Sequence, residues 1–131
     1  MRLRSHSLIV ITGASSGIGA ATAKAFSALG HPLLLIARRT GRLTALGLPK
    51  TIAATVDVTN LNGLKEAILS AEKEFGPTDC LVNNAGVMLL GKVQSQSPDE
   101  WQKMLDVNVM GVLNGIHAVL SGMIARGRGT V

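Results

Sequence analysis

Thr12-Gly13-Ala14-Ser15-Ser16-Gly17-Ile18-Gly19 is the stretch that decides how this chain folds. An unbroken apolar run, Leu8-Ile9-Val10-Ile11, leads into it, and a helical pattern continues from it to about Leu29. A buried strand, a glycine-rich turn and a helix in that order bring a diphosphate to the positive end of a helix dipole. Each glycine has a physical task in such a turn. Gly13 allows the sharp exit from the strand, Gly17 removes a side chain so that backbone N–H groups approach phosphate oxygens, and Gly19 lets the helix pack closely on the sheet. Ser15 and Ser16 add hydroxyl donors, and the N–H groups near Ile18 are first-turn donors with no partner inside the helix. An ordinary glycine-rich connection has the same residues; the order of strand, turn and helix favours nucleotide binding.

Outward from this turn, Ile18, Ala21, Ala25, Phe26 and Leu29 form the expected inner face of the first helix, which Gly30-His31-Pro32 ends. Residues 33–37 read as a second buried strand, residues 41–46 as a short helix and residues 51–58 as a third strand ending at Asp57. Leu61, Leu64, Ile68, Ala71 and Phe75 recur at steps of three and four, an amphipathic helix capped by Thr59 or Asn60. Residues 80–83 read as a fourth strand running into Asn84-Ala85-Gly86, followed by a loop over residues 87–97. Ser97-Pro98-Asp99-Glu100 has the cap, proline and early carboxylates of a helix start, with Trp101, Leu105 and Val109 as its apolar face. A longer helix is expected from Asn108 to about Arg126, and Thr130-Val131 begins another strand. Strands alternating with helices at this spacing mean βαβ units and a parallel sheet.

Composition narrows the function classes. The 131 residues are 47% hydrophobic, which fits one domain whose strands are covered on both faces. Gly13, Gly30-His31-Pro32 and Arg38-Arg39 interrupt the apolar runs, so no stretch is expected to reach the length of a membrane span. Residues 1–6 carry Arg2 and Arg4 with no long apolar region after them, against a secretory signal. The single cysteine, Cys80, forms no internal disulfide; a strand position and a reducing cytoplasm are the expectation. The net charge of +5 comes from arginines in separate places, with two Phe, one Trp and no Tyr to stack on bases. That pattern speaks for a solvated basic face and against nucleic acid.

Four motifs, in order, carry a resemblance to the short-chain dehydrogenase/reductase family: Thr12-Gly13 with Gly17-Ile18-Gly19, Asp57-Val58, Asn83-Asn84-Ala85-Gly86, and Asn108 within Asp106-Val107-Asn108-Val109-Met110-Gly111. The resemblance implies a Rossmann-like, doubly wound α/β fold with strands in the order third, second, first, fourth and helices on both faces. It implies a nicotinamide dinucleotide cofactor and hydride exchange with a carbonyl or alcohol substrate. Carried over by motif, Asp57 and the Val58 backbone would meet the adenine ring. Asn84, Ala85 and Gly86 would lie beside the ribose, and Asn108 would hold a water in a proton relay. As plain residues, Asp57 could be a turn or cap residue, and Asn83 and Asn84 could bridge backbone strands. The second strand ends in Ala37-Arg38-Arg39, with no carboxylate to repel a 2′-phosphate, so NADP(H) is expected, with Arg38 first and Arg39 second.

The family's catalytic serine, tyrosine and lysine follow its fifth strand, and this sequence holds no tyrosine. The expectation is therefore the amino-terminal part of a longer enzyme. Residues 1–131 would form an incomplete dinucleotide-binding domain, truncated at the start of the fifth strand and leaving the fourth strand as an unpaired edge. The alternative is a truncated, non-catalytic dinucleotide-binding module; Asn108, useful mainly to the relay, favours the enzyme. The resemblance also implies a homodimer or homotetramer for the full-length protein, built in part on the long helix near Asn108.

Overall fold

Residues 6–131 are described from a computed structural model; Arg2, Arg4 and the rest of the first five residues lie outside the described residues. Strand β1 (Leu8–Thr12) leads through the glycine turn to α1 (Gly17–Ala28), then β2 (Leu33–Ala37), α2 (Thr40–Thr44) and β3 (Thr51–Thr55). Helix α3 (Leu61–Phe75), β4 (Thr78–Val82), α4 (Pro98–Leu105) and α5 (Gly111–Ala125) complete the chain. The sheet is parallel, in the order β3-β2-β1-β4, as the resemblance implied.

Alternation along the strands divides the core between two faces. Leu8, Val10, Leu34, Ile36 and Leu81 pack with Leu64, Ile68 and Ala71 of α3 and Val119 and Met123 of α5. Ile9, Ile11, Leu33, Leu35 and Cys80 point the other way, toward Ala23 of α1 and Leu43 of α2. Both faces of β1 and β2 are therefore sealed, which explains why those strands read as continuous apolar runs. Each fully buried Leu or Ile contributes about 1.5–3 kcal/mol. Asn60 caps α3 by accepting from the Gly63 N–H, one of the two caps expected. Thr130 adds alongside β4 in parallel: its N–H donates to Asp79 O and its carbonyl accepts from Leu81 N–H. The outer edge of β4 is thus paired at Cys80, not bare along its whole length.

Five expectations need correction. On α1 the inward residues are Gly19, Ala23 and, as expected, the part-buried Phe26, while Ala21 and Ala25 are exposed and Ile18 and Leu29 are 77% and 72% exposed. The close approach of Gly19 to the Gly13 carbonyl turns the side of the helix with Gly19, Ala23 and Phe26 onto the sheet and leaves Ile18 and Leu29 outside. Trp101, Leu105 and Val109 are likewise exposed, and Met104 turns inward, its sulfur accepting from Leu89 N–H. Strand β3 ends at Thr55, so Asp57 stands in the loop beyond it. Finally, α4 and α5 are not separate helices. A π-helical turn, Asp106–Met110, joins them, with Gly111 N–H bonding back to Asp106 O. The run Pro98–Ala125 is then 28 residues long, with a window of mean hydropathy 1.5, and does reach the length and composition of a membrane span. The interruptions read from the sequence all lie outside it.

Candidate functional site

The cleft lies at the carboxyl ends of the strands, where β1 gives way to the glycine turn. Thr12 and Asn84 fasten that turn to the end of β4. The Thr12 hydroxyl oxygen accepts from the N–H groups of Asn84 and Ala85, at 3.1 and 3.0 Å. The Asn84 amide donates to the carbonyls of Thr12 and Gly13, at 3.2 and 3.1 Å. The bridging role open to Asn84 on sequence grounds is thus the one its side chain performs. Gly13 has φ +64°, and a Cβ there would stand 2.8 Å from Ala85 Cα. A Cβ on Gly19 would stand 2.4 Å from Gly13 O, so both glycines are required by close approach.

The start of α1 is left open. Ser16 occupies the N-cap position in extended backbone but makes no side-chain cap bond, and the first turn carries no acidic residue. Gly17 has φ +54°, and a Cβ there would meet nothing within 4 Å. First-turn N–H groups, an uncommitted hydroxyl and open space together make an anion cradle. At the end of β2, Ala37 is buried and Arg38 and Arg39 are exposed. Among the described residues neither arginine has a carboxylate within ion-pair distance, the one such pair being Arg128 with Asp79.

The opposite wall is the turn after β3. Asp57 Oδ1 accepts from the Thr59 N–H at 3.0 Å and from the Thr59 hydroxyl at 2.8 Å. The Thr59 N–H holds the Asp57 carboxyl below its ordinary value, burial opposes this, and the Thr59 hydroxyl, Arg38 and Lys103 add to the lowering. Asp57 is therefore the turn residue that its chemistry allowed, and Oδ2 has no hydrogen-bond partner among the described residues. Val58 is buried; its carbonyl accepts from Asn114 Nδ2 at 2.9 Å. At the mouth, Asn108 clamps the backbone of Val87: Oδ1 accepts from Val87 N–H at 2.8 Å and Nδ2 donates to Val87 O at 2.7 Å.

Gly13, Ser15, Ser16, Arg38, Arg39, Asp57, Val58, Asn84, Ala85 and Gly86 all line one cleft of about 250 Å³. Gly17, Ile18 and Gly19 belong to the adjoining first turn of α1 and are not among its walls, and Asn108, also not a wall, bonds Val87 and lies beside Gly86, both of which are. Thr12, Gly111 and Asn114 were missed. Asn114 carried the same signal as Asn108, an amide inside a helix that competes for backbone partners. For Thr12 the partner lies 72 residues away, beyond any local pattern. The donor set suits a phosphorylated dinucleotide: an open helix start for the diphosphate, guanidinium groups for a further phosphate, and a carboxylate acceptor opposite.

A family model described as short chain dehydrogenase matches residues 7–131. The chain is 39% identical over 132 residues to an oxidoreductase of Listeria monocytogenes, covering 96% of this chain and 53% of that protein. It is 40% identical over 134 residues to glycine betaine reductase of Emericella nidulans, covering 97% of this chain and 10% of that one. The crystal structure of L-sorbose reductase from Gluconobacter frateurii, complexed with NADPH and L-sorbose, superposes with a TM-score of 0.85 at 33% identity. That match covers 95% of this chain and 50% of the reductase. The chain thus spans about half the length of most curated relatives it matches. The motifs, the strand order and these similarities agree: the chain belongs to the short chain dehydrogenase family.

Proposed function

We propose that this chain is the cofactor-binding half of an NADP(H)-dependent oxidoreductase acting on a small-molecule carbonyl or alcohol. The observation that carries the reading is the pair of guanidinium groups, Arg38 and Arg39, with no carboxylate partner among the described residues, in one cleft with Ser16. NADP(H) would supply the hydride. Gly13, Ser15, Ser16 and the first-turn N–H groups of Gly17, Ile18 and Gly19 would hold its diphosphate, and Arg38 with Arg39 its 2′-phosphate. Asp57 and Val58 would meet the adenine, and Asn84, Ala85 and Gly86 the ribose. Asn108 fixes Val87 at the mouth, and in this reading its turn helps to hold the relay water. Substrate binding and proton transfer belong to the rest of a longer protein. The 131 residues hold no tyrosine to give a proton to an alkoxide, so alone they are inactive. Four residues of α5, namely Gly111, Gly115, Val119 and Met123, are buried, which supports a helix that covers the sheet rather than one that spans a bilayer. We read the whole protein as a cytoplasmic homodimer or homotetramer with no nucleic-acid partner.

The test is cofactor preference in the full-length protein. Unmodified protein should bind NADPH more tightly than NADH. Arg38→Asp should weaken NADPH by about ten- to a hundredfold, the worth of one charge-assisted bond, and improve NADH. Equal dissociation constants for the two dinucleotides in the unmodified protein would refute the 2′-phosphate assignment.

A further inference from the structure

Two of the loops that line the cleft, those after β3 and β4, are tied to the same helical run. Asn108, in the π-helical turn, holds the Val87 backbone. One turn further on, Gly111 and Asn114 present a single face of α5 to Val58. A Cβ on Gly111 would stand 2.6 Å from Val58 Cγ2, so the helix backbone lies directly against that side chain. Asn114 Nδ2 then reaches the Val58 carbonyl at 2.9 Å, across 56 residues of sequence. Asn is a poor choice inside a helix, because its amide competes for backbone groups. Here that amide serves a loop carbonyl that lies outside the strand ladder and needs a partner. Val58 stands next to Asp57, whose own carboxylate is already fixed through Thr59. Thr59 and the Asn60 N–H hold the Asp57 side of this wall from within the turn, and Asn114 of α5 holds the Val58 carbonyl from outside it.

We infer that Asn114 is a positioning residue for the base end of the dinucleotide, acting through the Val58 carbonyl; this rests on the dinucleotide reading above. Removing the amide frees the Asp57–Val58 wall to move away from the adenine while leaving the phosphate cradle at α1 untouched. The experiment is isothermal titration of full-length protein with NADPH and with its hypoxanthine analogue, which lacks the adenine amino group. Asn114→Leu, close in size but without a donor, should weaken NADPH about three- to tenfold, the loss of one hydrogen bond. It should weaken the hypoxanthine analogue less than about twofold, because the contact the wall supports is already gone. Gly111→Ala pushes the same wall from the side and should show the same adenine-selective loss. Should Asn114→Leu fail to fold, Asn114→Ser, whose hydroxyl is too short to reach Val58 O, carries the same expectation. Equal weakening of both ligands, or no weakening in a folded variant, would overturn the inference. Unmodified protein that bound neither ligand would instead overturn the dinucleotide reading itself.

Discussion

Polar residues are tied together at both ends of the sheet, as Thr12 is with Asn84 at the carboxyl ends, but the carboxyl ends also leave exposed polar groups uncommitted among the described residues. At the amino ends of the strands they are tied to one another. Asp79 is the residue skipped where the β1–β4 register shifts, and its buried carboxylate accepts from the Ser7 hydroxyl at 2.8 Å and from Arg128 Nε at 3.2 Å. Arg126 donates to Thr78 O at 2.7 Å, and His31 bonds the Ser7 carbonyl at 3.1 Å. At the carboxyl ends Ser16 caps nothing, Gly17 faces open space, and Arg38 and Arg39 lack carboxylate partners among the described residues. A buried charge left unsatisfied costs several kcal/mol, so the group of Ser7, Asp79 and Arg128 holds the fold together. Thr78 Oγ1 and Arg126 Nε beside it are buried without a hydrogen-bond partner among the described residues. Groups left free at an exposed rim stabilise little by themselves, and remain available to a ligand. One end holds the strands together, and the other leaves groups free for the dinucleotide proposed above.

Two glycines separate strain from function across this divide, and they carry the largest expected effect. Gly17 and Gly127 both have positive φ, +54° and +64°, with nothing within 4 Å of a built Cβ. Valine at either position should cost a similar ~1–3 kcal/mol of stability, since a β-branched residue is strained there. Only Gly17→Val should also abolish dinucleotide binding in the full-length protein, by about a hundredfold or more, because its side chain enters the cradle at the start of α1. Titration calorimetry on the two folded variants decides it. Equal affinity in both would mean that the open helix start holds no phosphate.

The converse experiment breaks the other end. Asp79→Ala removes the acceptor for both Ser7 and Arg128. The expected loss is about 2–3 kcal/mol in chemical denaturation, below the full cost of breaking a buried pair because the Arg128 side chain is 37% exposed. NADPH affinity of the folded variant should stay within about twofold. A large affinity loss would show that the two ends are coupled through the sheet.

This division also marks what was legible in the sequence. The glycine turn, the buried strands and Arg38-Arg39 could be read because each depends on neighbours within a few residues. The clasp of Thr12 on Asn84 and that of Ser7 on Asp79 each span 72 residues, so no spacing announces them. The face of α1 was partly misread because five of its twelve residues are alanines spread around the helix, and the tight contact of Gly19 with Gly13 O fixed the rotation. The exposed stripe of Trp101, Leu105 and Val109 has the same lesson in reverse: periodic apolar residues define a face without saying what that face meets. The π-helical turn depends on one extra residue in a helix, for which Asn108 gave only the hint of an ill-suited amide.

The smallest effect expected is at Asp57, where the two uses of polar groups meet in one side chain. Oδ1 is committed to Thr59, as groups at the amino ends of the strands are committed, and the carboxylate also lines the cleft. Its folded value lies below the reference 3.8, first through the Thr59 N–H. The folded state therefore favours the ionised form, and the resulting stability is fully present above the unfolded value. It is lost as the pH falls through the lower folded one. Asp57→Asn should cost under about 1 kcal/mol at neutral pH, because the group is part-exposed and its amide oxygen can still accept from Thr59. The stability gap between the two proteins should stay constant from about pH 7 to pH 5 and close only in more acidic solution. Denaturant titrations across that range measure it. A gap that widened on acidification would reverse the sign and show that the Asp57 carboxylate is destabilised by its surroundings rather than held by them.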